Sequence, residues 1–396
     1  MATNLLNQQF FDSFASSIGD INKSETLPPE CYTDAAFYEF EKQALFDREW
    51  LCVGREDWVR EQGDYFNAII ADEPIVVARD RSGNLNAMSS VCQHRAMLVS
   101  EGRGNTRGFV CPYHHWVYGL DGHLVNAPAM DKACDFNKAD HGLPTLKVET
   151  WRGFIFVNFD HAAPPLSPRL AAIDEVVERY DMEETEEIEL NLAFKFPWNW
   201  KVMFENNNDG YHASKLHQGP LHDFVPSELA QFPELPTGTA GYYRTNGTLH
   251  ADASFNATQK ALLPVFPRLT EADRNQMVFA NIPPTLSLVL TADSVIYLIV
   301  RATGPETNEM DVGVLAAKGA SQVTGFRQKM AMNGAAAGEI MEQDQHVDEL
   351  VQVGLRSRHA PRGRYSWQEG AQIALNKWLV ERYQAEWDRR SQGGVA

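Results

Sequence analysis

The spacing of apolar residues predicts a strand-rich segment in the first half of the chain. Between positions 46 and 160 the apolar residues alternate with polar ones or form short runs, as in FNAII, PIVVARD and GFIFVNF. Both patterns are typical of β-strands, and the Gly and Asp residues between them favour tight turns. We therefore expect residues 46–160 to form a small antiparallel β domain. The Pro-rich run HAAPPLSPRL predicts its boundary.

A helical period is found on both sides of this segment. It predicts three helices, in the stretches TDAAFYEFEKQALFDREW, PRLAAIDEVVERYDM and WQEGAQIALNKWLVERYQAEW. The first should begin at Thr33 or Asp34, since both side chains are good N-caps. Strands are predicted in ELNLAFKF and on either side of residues 292–294. The predicted fold class is α+β, with residues 1–45 as the N-terminal helical part and residues 161–396 as the remainder of a larger domain that contains the β domain as an insertion.

Composition narrows the function classes. The chain has 396 residues and is 44% hydrophobic, which is enough for two domains with separate cores. With 35 Lys and Arg against 53 Asp and Glu, the net charge of -18 argues against binding to nucleic acid or to anionic membranes. The five cysteines include no paired spacing outside the motif described next, and the N-terminus lacks the pattern of a secretory signal, so we expect a reducing cytoplasm. No stretch is apolar for long enough to predict a membrane span.

Four residues form the most specific motif in the chain. Cys92 and His94 stand as C-x-H, and after sixteen intervening residues Cys111 and His114 stand as C-x-x-H. This arrangement predicts a Rieske 2Fe-2S centre, in which two thiolates hold one iron and two imidazoles hold the other. Each pair follows a short predicted strand, so two loop tips can face each other across a cluster. A structural zinc site is the alternative, although zinc fingers usually group two cysteines and then two histidines.

A second motif, FENNNDGYHASKLH, contains Asp209, His212 and His217. The two histidines are five residues apart, so on a regular helix their side chains point away from each other. They can share a metal only if the helix is distorted or ends between them, and the nearby Gly210 makes such a departure inexpensive. Taken alone, the motif equally describes a polar helix end with two solvated histidines.

Two imidazoles and a carboxylate would form the facial triad of non-heme iron(II) oxygenases. The candidate carboxylate lies in the stretch GAAAGEIMEQDQHVDELVQVGLRS. On a helix, one stripe of this stretch consists of Ile340, Asp344, Val347 and Val351. Asp344 is thus an acid within an apolar stripe, where coordination to a metal would remove the cost of burying its charge. Asp348 at the edge of the stripe is the weaker alternative, and Glu342 should face solvent.

Together the two motifs resemble Rieske-type non-heme iron oxygenases, the alpha subunits of aromatic-ring-hydroxylating dioxygenases and related monooxygenases. The resemblance covers nearly the whole chain, including N-W-K at Asn199 and a Q-x-G-L-R-S run that ends at Ser357. It implies a Rieske β domain and a larger α+β domain whose helix-backed antiparallel sheet forms a funnel to the iron. It also implies Asp344 as the third iron ligand, because the family's acid lies shortly ahead of an E-x-x-Q-x-G run.

The chain departs from the family pattern at two positions in the cluster loops. The family usually has Gly after the second cluster histidine and often has Gly after the arginine of the first loop, whereas this chain has His115 and Ala96. Neither change removes a ligand. His115 could alter the exposure of the cluster and therefore its reduction potential.

The resemblance implies a role for Asp209 as a bridge between His212 and a cluster histidine, His94 or His114, of a neighbouring copy in a ring of three. The alternative is an ordinary carboxylate that orients His212 within one subunit. A separate reductase, with or without a ferredoxin, would supply electrons from NAD(P)H, since the only glycine-rich segment precedes a strand and does not open a helix. A small beta subunit could join the ring.

These features predict a terminal oxygenase with one Rieske 2Fe-2S cluster and one mononuclear Fe(II), and aromatic ring hydroxylation is the preferred activity. Oxidative N- or O-demethylation of a methylated amine, such as a betaine or choline-like compound, or of an ether is the alternative. An electron-transfer protein with a non-catalytic iron site is the alternative of a different class. The aromatic residues considered for the substrate pocket are Phe204, Tyr211, Tyr242, Tyr243, Phe279 and Tyr297. For at least half of them, core packing is the simpler interpretation.

Overall fold

The computed structural model describes residues 5–393, apart from the side chains at positions 189 and 191. Contacts between Cα atoms divide the chain into two compact units, Met1–Leu45 with Leu166–Ala396, and Phe46–Pro165. Among the described residues, no helix combines the length and the apolar character that crossing a bilayer requires.

Antiparallel strands build the smaller unit. In chain order they are β1 (Leu51–Arg55), β2 (Asp64–Ile70), β3 (Glu73–Arg79), β4 (Leu85–Ser89), β5 (Arg103–Asn105), β6 (Phe109–Val110), β7 (Val117–Tyr118), β8 (Leu124–Asn126), β9 (Thr145–Trp151) and β10 (Phe154–Asn158). Seven of them form a sheet in the order β1-β10-β9-β4-β3-β2-β5, and β6, β7 and β8 form a second, three-stranded sheet. One hydrophobic cluster of this unit includes Cys92, Cys111, Trp116 and Tyr118. The expected β domain is confirmed, and both motif cysteines belong to its core.

The larger unit combines one sheet with several helices. Its strands are β11 (Glu186–Phe196), β12 (Ala230–Gln231), β13 (Tyr242–Gly247), β14 (Gln276–Ile282), β15 (Leu286–Leu290), β16 (Val295–Gly304) and β17 (Thr307–Ala316). They pair antiparallel in the order β11-β17-β16-β15-β14-β13-β12. The helices are α1 (Gln8–Asp12), α2 (Glu30–Thr33), α3 (Ala35–Glu41), α4 (Leu166–Arg169), α5 (Ala171–Val177), α6 (Trp200–Asn208), α7 (Gly210–Leu216), α8 (Phe326–Leu355) and α9 (Gly370–Gly393). Helices α5, α6 and α9 contact the sheet, so the predicted α+β class is confirmed.

Several local predictions are also confirmed. Helix α3 begins after Asp34, whose carboxylate accepts a hydrogen bond from the backbone N–H of Phe37 at 2.9 Å. Strands β15 and β16 form the expected hairpin around residues 292–294. The stretch predicted as one helix after residue 167 is instead divided into α4, α5 and short 3₁₀ turns.

The predicted apolar stripe of α8 is wrong. The buried side chains of this helix are Asp348 and Gln352, whereas Val351 is 43% exposed. The buried face of α8 is polar because its side chains form hydrogen bonds with other groups of the larger unit, including residues of α6 and the residue that precedes α6. The Gln352 side chain accepts a hydrogen bond from the Asn199 backbone N–H at 2.9 Å and donates one to the Tyr32 carbonyl at 3.2 Å.

Candidate metal centres

The two loops that carry the C-x-H and C-x-x-H motifs have the same backbone conformation. In each loop the cysteine N–H donates to the carbonyl five residues later, at 2.8 Å for both Cys92 and Cys111. The cysteine carbonyl accepts from the amide four residues later, at 3.0 Å in the first loop and 2.9 Å in the second. The chain thus builds two matching turns in which the cysteines occupy equivalent positions, while His94 is two and His114 three residues after its cysteine.

The backbone conformation of the residue four positions after each cysteine explains why the family prefers glycine there. Ala96 has φ of 57° and His115 has φ of 59°, both in the left-handed region. A residue with a Cβ atom is disfavoured there by about 1–2 kcal/mol, while glycine is not. These are the two positions at which the sequence departs from the family pattern, so both loops keep the turn in spite of the unfavourable side chain.

The four predicted ligands are brought together by these turns. Cys92 and Cys111 are buried, with 2% and 1% of their surfaces exposed, and the Nδ1 atoms of His94 and His114 lie 3.0 Å apart. The His94 ring stacks on Trp116, with ring centroids 5.0 Å apart and an interplanar angle of 11°. The two thiols therefore lie inside the fold, and the two imidazoles lie close enough to each other to share one metal ion. This donor set fits a cluster with thiolates on one iron and imidazoles on the other.

The sequence reasoning missed Tyr118, which contacts a predicted cluster ligand. Its hydroxyl oxygen lies 3.3 Å from Cys92 Sγ and accepts a hydrogen bond from the Gln93 backbone N–H at 3.0 Å. Burial, together with the contact to Cys92, raises the pKa of Tyr118. The hydroxyl therefore keeps its proton, which is available to the sulfur of Cys92. The signal for it was the alternation of strand β7, because Trp116 and Tyr118 are two residues apart and both are buried.

In the larger unit, two helix ends position the second group of candidate ligands. Helix α6 ends before Asp209, which has extended backbone angles and caps α7 by accepting from the N–H groups of Tyr211 and His212. Helix α7 ends at Leu216, so His217 follows the last helical residue with φ of -108° and ψ of 37°. Of the two predicted possibilities, a distorted helix or a helix end between the histidines, the structure has the helix end.

The structural role of Gly210 differs from the one predicted. Its φ is not positive, and it occupies the first helical position of α7. A Cβ atom at this position would lie 3.2 Å from the carbonyl oxygen of Gln368. The glycine therefore permits a close approach between α7 and the segment before α9, while the change of chain direction occurs at Asp209.

His212, His217 and Asp344 converge on one point. His217 Nε2 lies 2.8 Å from Asp344 Oδ1 and 3.2 Å from His212 Nε2, and His212 Nε2 lies 3.5 Å from the same carboxylate oxygen. In the described part of the chain, this is the group of three potential ligand atoms that lie within 4.8 Å of one another. Two imidazole nitrogens and a carboxylate oxygen this close together could share one metal ion, and the set matches the facial triad of non-heme iron.

The other ring nitrogen of each histidine faces an oxygen atom, as an ion-pair contact without hydrogen-bond geometry at His212 and as a hydrogen bond at His217. Asp209 Oδ2 lies 3.1 Å from His212 Nδ1, and Gln343 Oε1 lies 2.7 Å from His217 Nδ1. Each ring is therefore oriented with Nε2 towards the shared point. Burial lowers the pKa of His212, but its interactions with Asp209 and Asp344 outweigh burial and raise it to about 9. Gln343 was missed by the sequence reasoning, although its position next to Asp344 could have indicated it.

Asp348, the weaker ligand candidate, lies outside this group. It is 3% exposed, and burial together with the charge of Asp344 raises its pKa to about 8. The Asn206 side chain donates to both carboxylates, at 3.3 Å to Asp344 Oδ1 and 3.2 Å to Asp348 Oδ1. The hydrogen bonds of the two histidines keep the pKa of Asp344 low in spite of its burial. At neutral pH the pair thus consists of one carboxylate at the metal position and one neutral acid beside it.

A cavity of about 830 Å³ opens beside the three converging residues. Its floor is one face of the sheet, and the largest share comes from alternating residues of β11: Ile188, Leu190, Leu192, Phe194 and Phe196. Helix α8 forms the opposite wall, with the small residues Gly334, Ala337 and Gly338 towards the cavity. Its size lies within the range of small-molecule sites, and most of its lining is apolar.

The expectation that core packing accounts for at least half of the six aromatic candidates is confirmed. Among the six aromatic candidates, Phe279 lines the cavity, whereas Phe204, Tyr242 and Tyr297 are buried in core packing and Tyr211 is 55% exposed. The sixth, Tyr243, does not line it either. The alternating apolar residues of ELNLAFKFPWNW were the better signal, because one face of that strand lies along the cavity.

Comparisons with known proteins agree with this organisation. Residues 49–150 match the Rieske [2Fe-2S] domain, and residues 175–385 match the ring hydroxylating alpha subunit (catalytic domain). The chain is 32% identical over 216 residues to the glycine betaine monooxygenase oxygenase subunit of Chromohalobacter salexigens, covering 54% of this chain and 48% of that protein. It is 29% identical over 373 residues to the biphenyl 2,3-dioxygenase subunit alpha of Rhodococcus jostii, covering 85% and 80%. The chain spans about half the length of several curated relatives that it matches.

A solved structure of a quaternary ammonium Rieske monooxygenase shares the fold. It has a TM-score of 0.79 and 23% identity, and the match covers 96% of this chain and 100% of that chain. The two matched domains imply one Rieske 2Fe-2S cluster and one mononuclear iron, and the donor sets described above fit both groups. Because the catalytic-domain match extends over more than half of the sequence, this chain belongs to the ring hydroxylating alpha subunits, the oxygenase subunits of the Rieske non-heme iron family.

Proposed function

We propose that this chain is a terminal oxygenase that uses electrons from an external reductase to oxygenate a small apolar organic molecule. The observation that carries the proposal is the convergence of His212, His217 and Asp344 beside an apolar cavity of about 830 Å³. When bound, the mononuclear iron would supply oxygen activation and the Rieske cluster would supply stored electrons.

The proposed roles of the residues follow from their positions. Cys92, Cys111, His94 and His114 hold the cluster, and His212, His217 and Asp344 hold the iron. Asp209 orients His212 from its Nδ1 side. In a ring of three copies, the same carboxylate would link His212 to a cluster histidine of the next copy, which gives electrons a short hydrogen-bonded route.

The cavity favours ring hydroxylation as the activity. Most of its lining is apolar, so it can hold a flat hydrocarbon body by contact area. Similarity to biphenyl 2,3-dioxygenase supports this choice. Oxidative demethylation of a methylated amine is the second candidate, because the glycine betaine and quaternary ammonium monooxygenases are also similar to this chain. Aromatic rings such as Phe279 can attract a quaternary ammonium group.

The proposal includes partners and surroundings. A separate reductase, with or without a ferredoxin, delivers electrons, and the oxygenase acts as a homotrimer, with or without a small beta subunit. We place it in a reducing cytoplasm. The five cysteines, all without disulfides, support that placement.

A reconstituted protein with a surrogate reductase tests the proposal. We expect about three irons per chain and substrate-dependent oxygen uptake across a panel of small aromatics and methylated amines. His212→Ala should lower the iron content to about two per chain and abolish oxygen uptake, while the cluster spectrum stays unchanged. Two irons per chain in the wild type, without oxygen uptake, would instead identify an electron-transfer protein.

A further inference from the structure

Arg244 is an unusual residue in the cavity. It lies on β13, and among the described residues it is the charged side chain that the sheet contributes to the cavity lining. Only 4% of its surface is exposed. The rest of the sheet face in the cavity is apolar, so the guanidinium is a single positive charge in an apolar surface.

The protein gives this guanidinium few partners. Nη1 donates to Asn246 Oδ1 at 3.2 Å, while the buried Nε has no hydrogen-bond partner. In the part of the chain that the structure describes, no carboxylate forms an ion pair with it. Its Cζ atom lies 3.6 Å from the ring centroid of Phe279, so the ring fixes the plane of the guanidinium.

An arginine with a purely structural role would direct its N–H donors to acceptors within the protein. Burying a charge without an ion-pair partner costs several kcal/mol, and buried arginines in protein cores normally direct their donors to carboxylates or carbonyls. Burial lowers the pKa of Arg244 to about 10, and the more distant charge of Asp209 raises it, so the side chain stays charged at neutral pH. A charged guanidinium that has no ion-pair partner in the described part of the chain and lies flat on Phe279 in the cavity lining is suited to a ligand that brings an anionic acceptor.

We propose that Arg244 binds a carboxylate of the substrate, so that the oxygenase acts on an apolar, preferably aromatic, carboxylic acid. The planar guanidinium can donate two parallel hydrogen bonds to a carboxylate, which fixes orientation as well as affinity. The apolar body then lies along the β11 face of the cavity, towards His212 and His217. This inference rests on the proposed function and names the substrate class of the same site.

The test compares ligands that differ only in charge. Binding of 2-naphthoate and of its neutral analogue 2-naphthamide to the iron- and cluster-loaded protein is measured by anaerobic calorimetry. We expect 2-naphthoate to bind roughly tenfold more tightly or better, because hydrogen bonds to a charged group are worth more than neutral ones. Equal affinities, or tighter binding of choline than of 2-naphthoate, would overturn the assignment.

Three variants test whether Arg244 causes the preference for the carboxylate ligand. Arg244→Gln should remove the preference for 2-naphthoate, whereas Arg327→Gln should keep it, since Arg327 also lines the cavity but is exposed. Arg244→Lys keeps the charge without the fork and should retain part of the preference, which also covers the case in which the glutamine variant fails to fold. A preference that persists in a folded Arg244→Gln variant would refute the proposal.

The outcome is separable from that of the proposed function. Calorimetry needs no turnover, so charge discrimination without any oxygen uptake would leave Arg244 as an anion site and refute the oxygenase activity. Oxygen uptake with naphthalene but no discrimination in binding would keep the oxygenase and refute the role of Arg244.

Discussion

At the scale of residues, the side chains that orient the candidate ligands are as specific as the ligands. Asp209 and Gln343 each contact the outward nitrogen of one imidazole, and the Tyr118 hydroxyl contacts the sulfur of Cys92. None of the three is itself part of a predicted ligand set. Such partners tune the affinity and the potential of a metal site.

Asp209→Asn separates the charge of this residue from its role as a helix cap. Asparagine is an equally good N-cap, so α7 should keep its start, and iron should still bind. Loss of the carboxylate should lower oxygenase activity by roughly 10- to 100-fold. Iron content and oxygen uptake measured on the same preparation check this, and full activity in the variant would contradict the proposed role.

Tyr118→Phe should lower the reduction potential of the cluster by on the order of 50 mV. The reason is that the hydroxyl proton stabilises the electron-rich sulfur more in the reduced state, and the loss of one such hydrogen bond is worth about 1 kcal/mol. Potentiometric titration of the cluster measures the shift. Tyr65→Phe is the matched control, because Tyr65 packs on the same hydrophobic cluster without a hydrogen bond to either cysteine. Equal potentials in wild type and Tyr118→Phe would contradict the assignment.

The metal-free protein should become less stable as the pH rises from 6.5 to 9. The folded state raises the pKa of His212 from 6.5 to about 9, so its stabilising contribution is full below pH 6.5 and is lost as the pH passes through about 9. Asp348 acts in the same direction up to its pKa of about 8, because the folded state binds its proton more tightly. Urea unfolding at several pH values measures the slope, and Asp348→Asn should reduce it below pH 8. A flat or rising profile would be inconsistent with both shifts.

At the scale of elements, two kinds of local backbone feature position most of the candidate ligands. In the cluster loops, a left-handed residue closes each turn, and in the larger unit the boundary between α6 and α7 directs Asp209 and His212. The loop turns carry non-glycine residues at Ala96 and His115. That choice costs conformational energy which a glycine would not.

His115→Gly and Ala96→Gly should therefore each stabilise the cluster loops by about 1 kcal/mol. The expected readout is slower loss of the cluster absorbance on heating. Gln93→Gly is the control in the first loop and should destabilise it, since the φ of Gln93 is not positive and glycine there both adds freedom to the unfolded chain and removes the hydrogen bond from the Gln93 side chain to the Val91 carbonyl. Faster loss of the cluster in both substituted loops would show that these side chains make stabilising contacts.

The elements also show what the sequence could and could not predict. The hairpin of β15 and β16 and the Asp34 cap of α3 follow from local patterns, so they were predictable. The meeting of His212 and His217 with Asp344 required the knowledge that a helix ends at Leu216, and the motif only demanded such an end. The face of α8 was misjudged because Asp348 and Gln352 are buried through long-range hydrogen bonds, which hydrophobic periodicity does not register.

At the scale of the whole molecule, the proposed trimer would let the cluster of one copy supply electrons to the iron of another. Two inactive variants test this directly. His212→Ala copies lack the iron site, and Cys111→Ser copies lack the cluster, so neither alone should be active. Co-assembled mixtures should recover part of the oxygen uptake, because an intact iron and an intact cluster then come from different chains. Mixtures that stay inactive would mean that each chain uses its own cluster.

In the larger unit, the cavity floor and the candidate metal ligands come from different parts of the chain, which has a consequence for evolution. Strands supply the floor of the cavity, whereas His212 lies on α7, His217 directly follows α7 and Asp344 lies on α8. Exchanging side chains along β11 would resize the chamber without moving the anchors of the metal. Proteins with this arrangement can thus evolve to accept different substrates while they keep the same metal site.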